Sequence, residues 1–575
     1  MRRKLKYAAA TAAGVLLLLW LFCLPRDLFE GTTYSTVVTD RNGALLGARV
    51  ADDGQWRFPP RDTLPEKFVK ALVEFEDRTF FDHCGVSPRA LVRAAIQNIR
   101  NGRIVSGGST LTMQVIRLSR QKPRTLWQKL VETCMATRLE LRCSKEEILR
   151  LYAAHAPFGG NVVGIDVAMW RYLGSDRTEL SWAEAATLAV LQNAPSSIHL
   201  ARNRDQLLAK RNRLLARLHA KGEIDEEDYA LALEEPLIGE PYPMPQYAPH
   251  LVEWYDRKAH GQRTVTHIDR DLQHRMEEVL VRWNRELRQK GIRDLAAIIV
   301  EVESGEPAAY CGNSDLSFDR DGKWVDIARS PRSSGSILKP LLYAAALEQG
   351  TILPNSLLPD VPMDFGGFAP KNFDGSYAGA IEADQALALS LNIPNVYLLK
   401  EYGILRFVET LRQAGLKTLS RPADEYGLSL ILGGAEVTLV DIAACYAKMA
   451  ACYQDSTRYP SFPLHDRVAL YRTFEAMREV VRPDEMDWRR ANSAQNIAWK
   501  TGTSYGSRDA WAIGLTPKYV IGVWAGNANG SGVADLTGAR IAGPGLFELF
   551  GLLPECGWFE EPGDEEGMIR SVCSH

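Results

Sequence analysis

A serine and a lysine stand three residues apart in Arg332-Ser333-Ser334-Gly335-Ser336-Ile337-Leu338-Lys339-Pro340, ahead of the apolar run LLYAAALEQG. On a helix, positions three apart share a face, so the spacing predicts the Lys339 amine within reach of the Ser336 hydroxyl. A serine hydroxyl is a poor nucleophile until a neighbouring base takes its proton. Lysine can be that base when burial or a second cation lowers its pKa. Alone, the pair says little, because a cap serine and a solvated lysine give the same spacing. Two further clusters follow in order: Ser390-Leu391-Asn392 and Lys500-Thr501-Gly502-Thr503. Three such clusters in one chain are hard to reach by chance.

A second set of function-capable residues lies earlier. Glu74-Phe75-Glu76-Asp77-Arg78-Thr79-Phe80-Phe81-Asp82-His83 places acids among aromatic residues. Apolar walls raise a carboxylate's pKa and so suit a tuned general base. Gly107-Gly108-Ser109-Thr110-Leu111-Thr112-Met113-Gln114 puts glycines and hydroxyls ahead of a helix, a pattern suited to an anionic or sugar ligand. In Arg124-Thr125-Leu126-Trp127-Gln128-Lys129-Leu130-Val131-Glu132, Lys129 and Glu132 share a helical face. A charged helix end, a cap loop and a surface ion pair would explain the three stretches separately.

Elements must position these groups. At 575 residues the chain is too long for one ordinary core. Its formal charge of -3 argues against general nucleic-acid binding. The nine cysteines show no metal spacing and read mostly as buried thiols. Arg2, Arg3, Lys4 and Lys6 precede an uncharged run from Tyr7 to Leu24. The run is long enough for a transmembrane helix, and the basic cluster favours an N-terminus inside. Leu21-Phe22-Cys23-Leu24-Pro25 offers no small-residue cleavage site, so an uncleaved anchor over 7–25 is expected after a cytoplasmic tail, 1–6. Residues 26–60, with the turn Asn42-Gly43, are expected to form a β stalk. Residues 61–235 read as a mostly-α domain. Ser87-Pro88 starts a helix, and Ser144-x-x-Glu147 and Ser181-x-x-Glu184 are capping boxes. Five prolines cluster in 236–265, the expected linker. Residues 266–555 alternate helix signals with strand–turn–strand patterns at Ser304-Gly305 and Thr516-Pro517, an α+β domain. An acidic tail, 556–575, follows.

The three early stretches, with SKEEILRLYAAHAPFGGNVVGI and LSWAEAATLAVLQNAPS, resemble the five motifs of the peptidoglycan glycosyltransferases in the family's order. The serine clusters match the S-x-x-K, S-x-N and K-T-G set of penicillin-binding proteins and class A β-lactamases. Together they identify the chain as similar to the class A, bifunctional penicillin-binding proteins, most like the 1C subgroup, from the anchor to about Pro554.

The resemblance implies a lysozyme-like, mostly-α glycosyltransferase domain that polymerises lipid II. Glu76 would be its general base, with Glu132 near the departing diphosphate and Arg117, Arg124 and Lys129 around it. Ser109, Thr110 and Gln114 would shape the sugar cleft. It leaves room for a divalent cation such as magnesium, without a dedicated metal motif, and implies no organic cofactor. The second domain would carry the penicillin-binding, β-lactamase-like α+β fold. Ser336 would attack the D-Ala-D-Ala carbonyl and Lys339 would be its base. Ser390, Asn392 and Lys500 would complete the proton network, and Thr501, Gly502 and Thr503 would line the substrate strand. Implied partners are lipid II and nascent peptidoglycan, β-lactams as covalent inhibitors, membrane lipid and other cell-wall synthesis proteins. The implied location is the bacterial cytoplasmic membrane, with both domains outside. A domain that binds peptide or β-lactam without efficient cross-linking is the alternative. Gln128, Ala153-Ala154, Gln192 and Ser334 depart from the usual motif residues. Relatives of this type usually carry a further β-rich domain, so the tail is expected to be the start of a truncated one.

Overall fold

The computed structural model describes residues 2–101, 108–123, 125–174, 179–192, 203–482 and 495–563. Two compact units interleave in sequence. The first holds Met1–Thr39, Gly47–Gln246 and Val252–Thr264; the second holds Asp40–Leu46, Tyr247–Leu251 and Val265–His575.

The first unit opens with α1 (Arg2–Leu21), followed by the short strands β1 (Thr36–Thr39), β2 (Leu45–Arg49) and β3 (Trp56–Arg57). Helix α1 takes in the charged first turn and stops before Pro25, and Val15 to Leu19 are exposed along it. Among the described residues no helix is long and apolar enough to cross a membrane, which differs from the transmembrane helix expected over 7–25. Residues 26–60 hold three short strands, and the last of them pairs beyond that stretch. β3 pairs in parallel with β5 (Val162–Val163), which pairs with β4 (Pro157–Gly159), because a two-residue strand satisfies its backbone only within a sheet.

Helices make up most of the rest. They are α2 (Glu66–Glu76), α3 (Pro88–Asn101), α4 (Leu111–Arg120), α5 (Leu126–Glu140), α6 (Lys145–His155), α7 (Ile165–Leu173), α8 (Trp182–Leu191), α9 (Arg204–Ala220) and α10 (Glu226–Glu234). α8 is buried along its length except at Glu184, and α2 turns Phe68, Ala71 and Leu72 inward at helical spacing. Ser144 and Ser181 form complete capping boxes, and Thr110 and Thr125 cap α4 and α5. The stretch 236–265 is more than a linker, since it holds α11 (Pro249–Lys258) and β6 (Arg263–Val265). The prolines mostly precede the helix, and Pro249 starts it, where a missing N–H costs nothing.

The second unit is built on a five-stranded antiparallel sheet, ordered β13-β14-β15-β7-β8. Its strands are β7 (Asp294–Glu301), β8 (Pro307–Cys311), β13 (Ala498–Thr503), β14 (Asp509–Leu515) and β15 (Tyr519–Gly526). Helix α12 (Arg270–Gln289) buries Leu272, Met276, Val279, Leu280 and Leu287 in one core with alternate strand residues such as Ala297, Ile299 and Ile521. α20 (Gly543–Phe550) adds Leu546, Leu549 and Phe550 to that core. The other elements are β9 (Arg332–Ser333), α13 (Lys339–Glu348), β10 (Leu357–Asp360), β11 (Gly379–Glu382), α14 (Ala383–Ala388), α15 (Asn392–Tyr402), α16 (Ile404–Gln413), α17 (Ala423–Tyr426), β12 (Glu436–Val437), α18 (Leu439–Gln454) and α19 (Arg467–Arg478). The start of the acidic tail is packed: Phe559 is buried and stacks on Phe474 at 4.7 Å between ring centres. The eight described cysteines are free.

Candidate active sites

In the first unit, successive acids of one helix end point to different neighbours. Glu74 is buried beside Arg78 and Lys221, at 2.9 and 2.5 Å, and serves the packing of α2 against α9. Asp77 is buried, accepts the Leu111 N–H at the start of α4 and meets His83 Nε2 at 2.9 Å. Glu76, at the last residue of α2, accepts from Gln114 Nε2 at 2.9 Å. Among the described residues, only Glu76 of the three is tied to a side chain of the expected sugar-cleft set. Tyr152 of α6 is buried near it. Burial first, and then the Glu76 charge, push the Tyr152 hydroxyl well above its usual pKa.

Arg117 lies one helical turn beyond Gln114 on α4 and bridges two elements. Its Nη2 donates to Glu132 Oε2 at 2.9 Å and to Ser109 Oγ at 3.0 Å, and its Nε approaches both Glu132 oxygens at 3.3 Å. Glu132 is 6% exposed, so the guanidinium is what makes its burial tolerable. Lys129, one turn earlier on α5, has no ion-pair partner among the described residues. Thr110 is an element of structure: its hydroxyl caps α4 and donates to Gly85 O at 2.6 Å. Arg124 and Gly107 lie outside the described residues. No cluster of three or more His, Cys, Asp or Glu side chains suited to a metal occurs among the described residues.

In the second unit the serine is not on the helix that the spacing suggests. Ser336 occupies a turn, with the Lys339 N–H donating to Ser336 O at 3.2 Å, and α13 begins only at Lys339, with Pro340 behind it. The turn is pinned from several sides. Tyr446 Oη donates to Ile337 O at 2.8 Å, Trp511 Nε1 to Ser333 O at 2.8 Å, and the Ser334 N–H to Ala435 O at 2.9 Å. Gly335, at φ +51°, lies so close to β13 that a Cβ would fall 2.6 Å from the Thr503 nitrogen. Gly502 faces back, where a Cβ would fall 2.8 Å from Ser334 O. These two glycines let the K-T-G strand lie against the serine turn.

Both lysines are fully buried. Lys339 Nζ donates to Ser390 O (2.8 Å), Leu391 O (3.1 Å) and Asn392 Oδ1 (2.9 Å). No hydrogen bond joins it to Ser336 Oγ among the described residues. Burial lowers the Lys339 ammonium well below its usual range, and the Lys500 charge lowers it further. Lys500 Nζ donates to Ser390 Oγ at 2.7 Å and to Thr501 O at 3.0 Å, and burial lowers it to about 7. Ser390 links the two lysines through one backbone and one side-chain oxygen, at an uncommon φ of +57°. Thr503 Oγ1 accepts from the Gly538 N–H at 3.0 Å, which turns its own hydroxyl proton elsewhere.

Residues 43–219 match the transglycosylase family, and residues 295–541 match the penicillin binding protein transpeptidase domain. The chain is 39% identical to penicillin-binding protein 1C of Escherichia coli K12, over 90% of this chain and 68% of that protein. The chain belongs to the class A penicillin-binding proteins. It is a bifunctional peptidoglycan synthase, with glycosyltransferase and transpeptidase activities. It is also 30% identical to penicillin-binding protein 1B of Vibrio cholerae, over 87% of this chain and 69% of that one. The crystal structure of penicillin-binding protein 1A from Haemophilus influenzae shares the fold, with a TM-score of 0.52 at 18% identity, covering 92% and 94% of the two chains.

Sequence reasoning missed the support behind Asn392 in this penicillin-binding protein. Asn372 is buried, accepts the Asn392 N–H at 2.9 Å and donates to Asp360 Oδ1 at 2.7 Å and Ser376 O at 2.9 Å. Its place in Lys371-Asn372-Phe373-Asp374-Gly375 carried only a turn signal. The unusual Gln128 accepts from Arg120 Nη2 at 3.2 Å, so a cation stands beside the position where the motif usually has one.

Proposed function

We propose that Glu76 is the general base of glycan polymerisation and that Ser336, activated by Lys339, is the nucleophile of cross-linking. Glu76 takes the proton from the acceptor's GlcNAc 4-hydroxyl as that oxygen attacks the donor's C1. The bond from C1 to the lipid diphosphate breaks, the centre inverts, and undecaprenyl diphosphate leaves. Gln114 holds one Glu76 oxygen in place. Positive charge from Arg117 and Lys129, with Arg124 assigned alongside them, offsets the charge growing on the diphosphate while Glu132 orients Arg117. No step is routed through a metal.

In the second unit, burial and the Lys500 charge favour a neutral Lys339. A neutral amine has two N–H donors and a lone pair, yet three oxygens surround it within 3.1 Å. Deprotonation therefore surrenders one of those bonds, and the neutral amine, once it swings from that oxygen, is the base that takes the Ser336 proton. Ser336 Oγ attacks the carbonyl of the penultimate D-Ala, and the Ser336 and Thr503 N–H groups hold the oxyanion. The C–N bond breaks, and the leaving D-Ala amine takes a proton through Ser390, which Lys500 orients. The amine of a neighbouring strand then attacks the ester and frees Ser336. Thr501 and Thr503 hydroxyls hold the donor's carboxylate. A β-lactam stops the sequence at the acyl-enzyme.

Residues 7–25 anchor the chain in the bacterial cytoplasmic membrane, with both units outside. The basic residues from Arg2 to Lys6 and the exposed apolar face from Val15 to Leu19 support this.

The observation that carries the reading is the pair of buried lysines meeting at Ser390. Purified protein with labelled lipid II, with and without penicillin, tests it. Polymer is expected in both samples and cross-links only without the drug. Glu76→Gln is expected to abolish polymer while penicillin still labels Ser336; continued polymerisation would refute Glu76 as base. In the second reading, the domain binds peptide or β-lactam but does not cross-link efficiently. A digest without cross-linked muropeptides would select it.

A further inference from the structure

Strand β13 stands at one end of the five-stranded sheet, with β14 on one side and no further strand on the other among the described residues. Just past it, the Ser504 N–H donates to Asp509 O at 3.0 Å, so the backbone of Thr503 faces the unpaired edge. The reacting groups are ordered along that edge. Lys500 comes first and holds Ser390, which serves the leaving amine. Thr503, whose N–H serves the oxyanion, comes after it. A donor therefore lies with its leaving half at the Lys500 end, and its acyl half runs on past Thr503. The large side chain that follows there is Tyr505.

Tyr505 is 97% exposed, so its ring adds nothing to the core. Its backbone is nevertheless tied down. The Ser507 N–H donates to Ser504 O at 3.1 Å and closes the turn, Ser504 Oγ accepts the Asp509 N–H at 2.8 Å, and the Val533 N–H donates to Ser507 O at 2.9 Å. A bare aromatic ring on a fixed turn is a pre-organised contact, because a side chain with two rotatable bonds loses little freedom when something packs on it.

We propose that Tyr505 is a specificity-determining residue of the transpeptidase: its ring packs against the side chain of the stem residue that precedes D-Ala-D-Ala, and it takes the acylamino side chain of a penicillin in the same place. The chemistry it selects is an apolar chain of several carbons on the acyl half. The assignment rests on the proposed roles of Ser336 and Ser390, and it goes beyond them by naming what the acyl half must carry.

The test uses the full chain in detergent and two β-lactams that share one bicyclic ring system. Benzylpenicillin carries a phenylacetyl side chain, and aminopenicillanic acid carries only an amine. Their acylation of Ser336 is read by competition with a fluorescent penicillin. Tyr505→Ala is expected to slow benzylpenicillin about tenfold, the loss of one aromatic contact, and to leave aminopenicillanic acid unchanged. Tyr505→Phe should keep the parent rate with both, since the ring and not the hydroxyl makes the contact. The melting temperature should not move in either variant. Among peptides, diacetyl-Lys-D-Ala-D-Ala should protect the parent from labelling at lower concentration than acetyl-Gly-D-Ala-D-Ala, and the two should act alike on Tyr505→Ala. An unchanged benzylpenicillin rate in Tyr505→Ala, equal slowing of both β-lactams, a slow Tyr505→Phe, or an equal effect of the two peptides on the parent would each overturn the assignment. A parent that neither β-lactam acylates would instead refute Ser336 as the nucleophile, and the assignment would fall with it.

Discussion

Replacing Lys500 by methionine should make the second unit more stable at neutral pH and less stable in alkali. Burial lowers this ammonium from 10.5 to about 7 in a fully buried site. At 1.36 kcal/mol per pKa unit that is a penalty of roughly 5 kcal/mol on the charged form. The folded pKa lies below the unfolded one, so between them the unfolded chain binds more protons. Stability therefore rises with pH from about 7 to about 10.5 and is flat below that window. Methionine removes the penalty and also the bonds to Ser390 Oγ and Thr501 O, about 1–1.5 kcal/mol each. The net is a gain of roughly 2 kcal/mol at pH 7. Near pH 10 little penalty remains to be relieved, and the variant should be about 1–2 kcal/mol less stable than its parent. Chemical denaturation followed by the fluorescence of the buried Trp499, Trp511 and Trp524 reads both conditions. Penicillin acylation should fall in the variant at either pH, because Ser390 loses its orienting partner. A variant equally destabilised at pH 7 and pH 10 would refute the reasoning, since Lys500 would then fold without releasing a proton.

Gly335→Ala places a Cβ 2.6 Å from the Thr503 nitrogen at φ +51° and must push β13 away from the serine turn. Penicillin acylation, followed with a fluorescent penicillin, should slow about 100-fold, the usual cost of a misplacement near 1 Å; an unchanged rate would show that the close approach has no catalytic role. Asn372→Ala leaves Asp360 Oδ1 and the Asn392 N–H without their partner and should cost about 2 kcal/mol in denaturant titration, with acylation slower as well. If stability and acylation both matched the parent, the support assigned to Asn372 would be wrong. Arg117→Ala leaves the buried Glu132 charge uncompensated and should stop glycan polymerisation while penicillin labelling stays normal. Arg117→Lys should recover only part, because an ammonium cannot reproduce the forked contact to Glu132 and Ser109; full recovery would reduce the role of Arg117 to charge alone.

Local patterns in the chain determined local structure. Ser144 and Ser181 make their capping boxes, helix α3 starts at Pro88, and the chain turns at Gly43, where φ is +85°. Each depends on residues within a few positions, where backbone geometry and short side chains decide the outcome. The order of the motif clusters was also enough to indicate two chemistries in two successive regions. Contacts across long stretches of chain were a different matter. Helical phase separates Glu74, which turns to Arg78 and Lys221, from Glu76, which turns to Gln114, but the sequence does not say what stands opposite each one. Three-residue spacing suggested that Lys339 meets Ser336 on a helix. Packing instead starts the helix at Lys339, leaves Ser336 in the turn before it, and draws the amine to oxygens more than fifty residues away. The depressed pKa of that amine belongs to no motif, because the desolvation that causes it exists only once Ser390, Asn392 and Lys500 have closed around it.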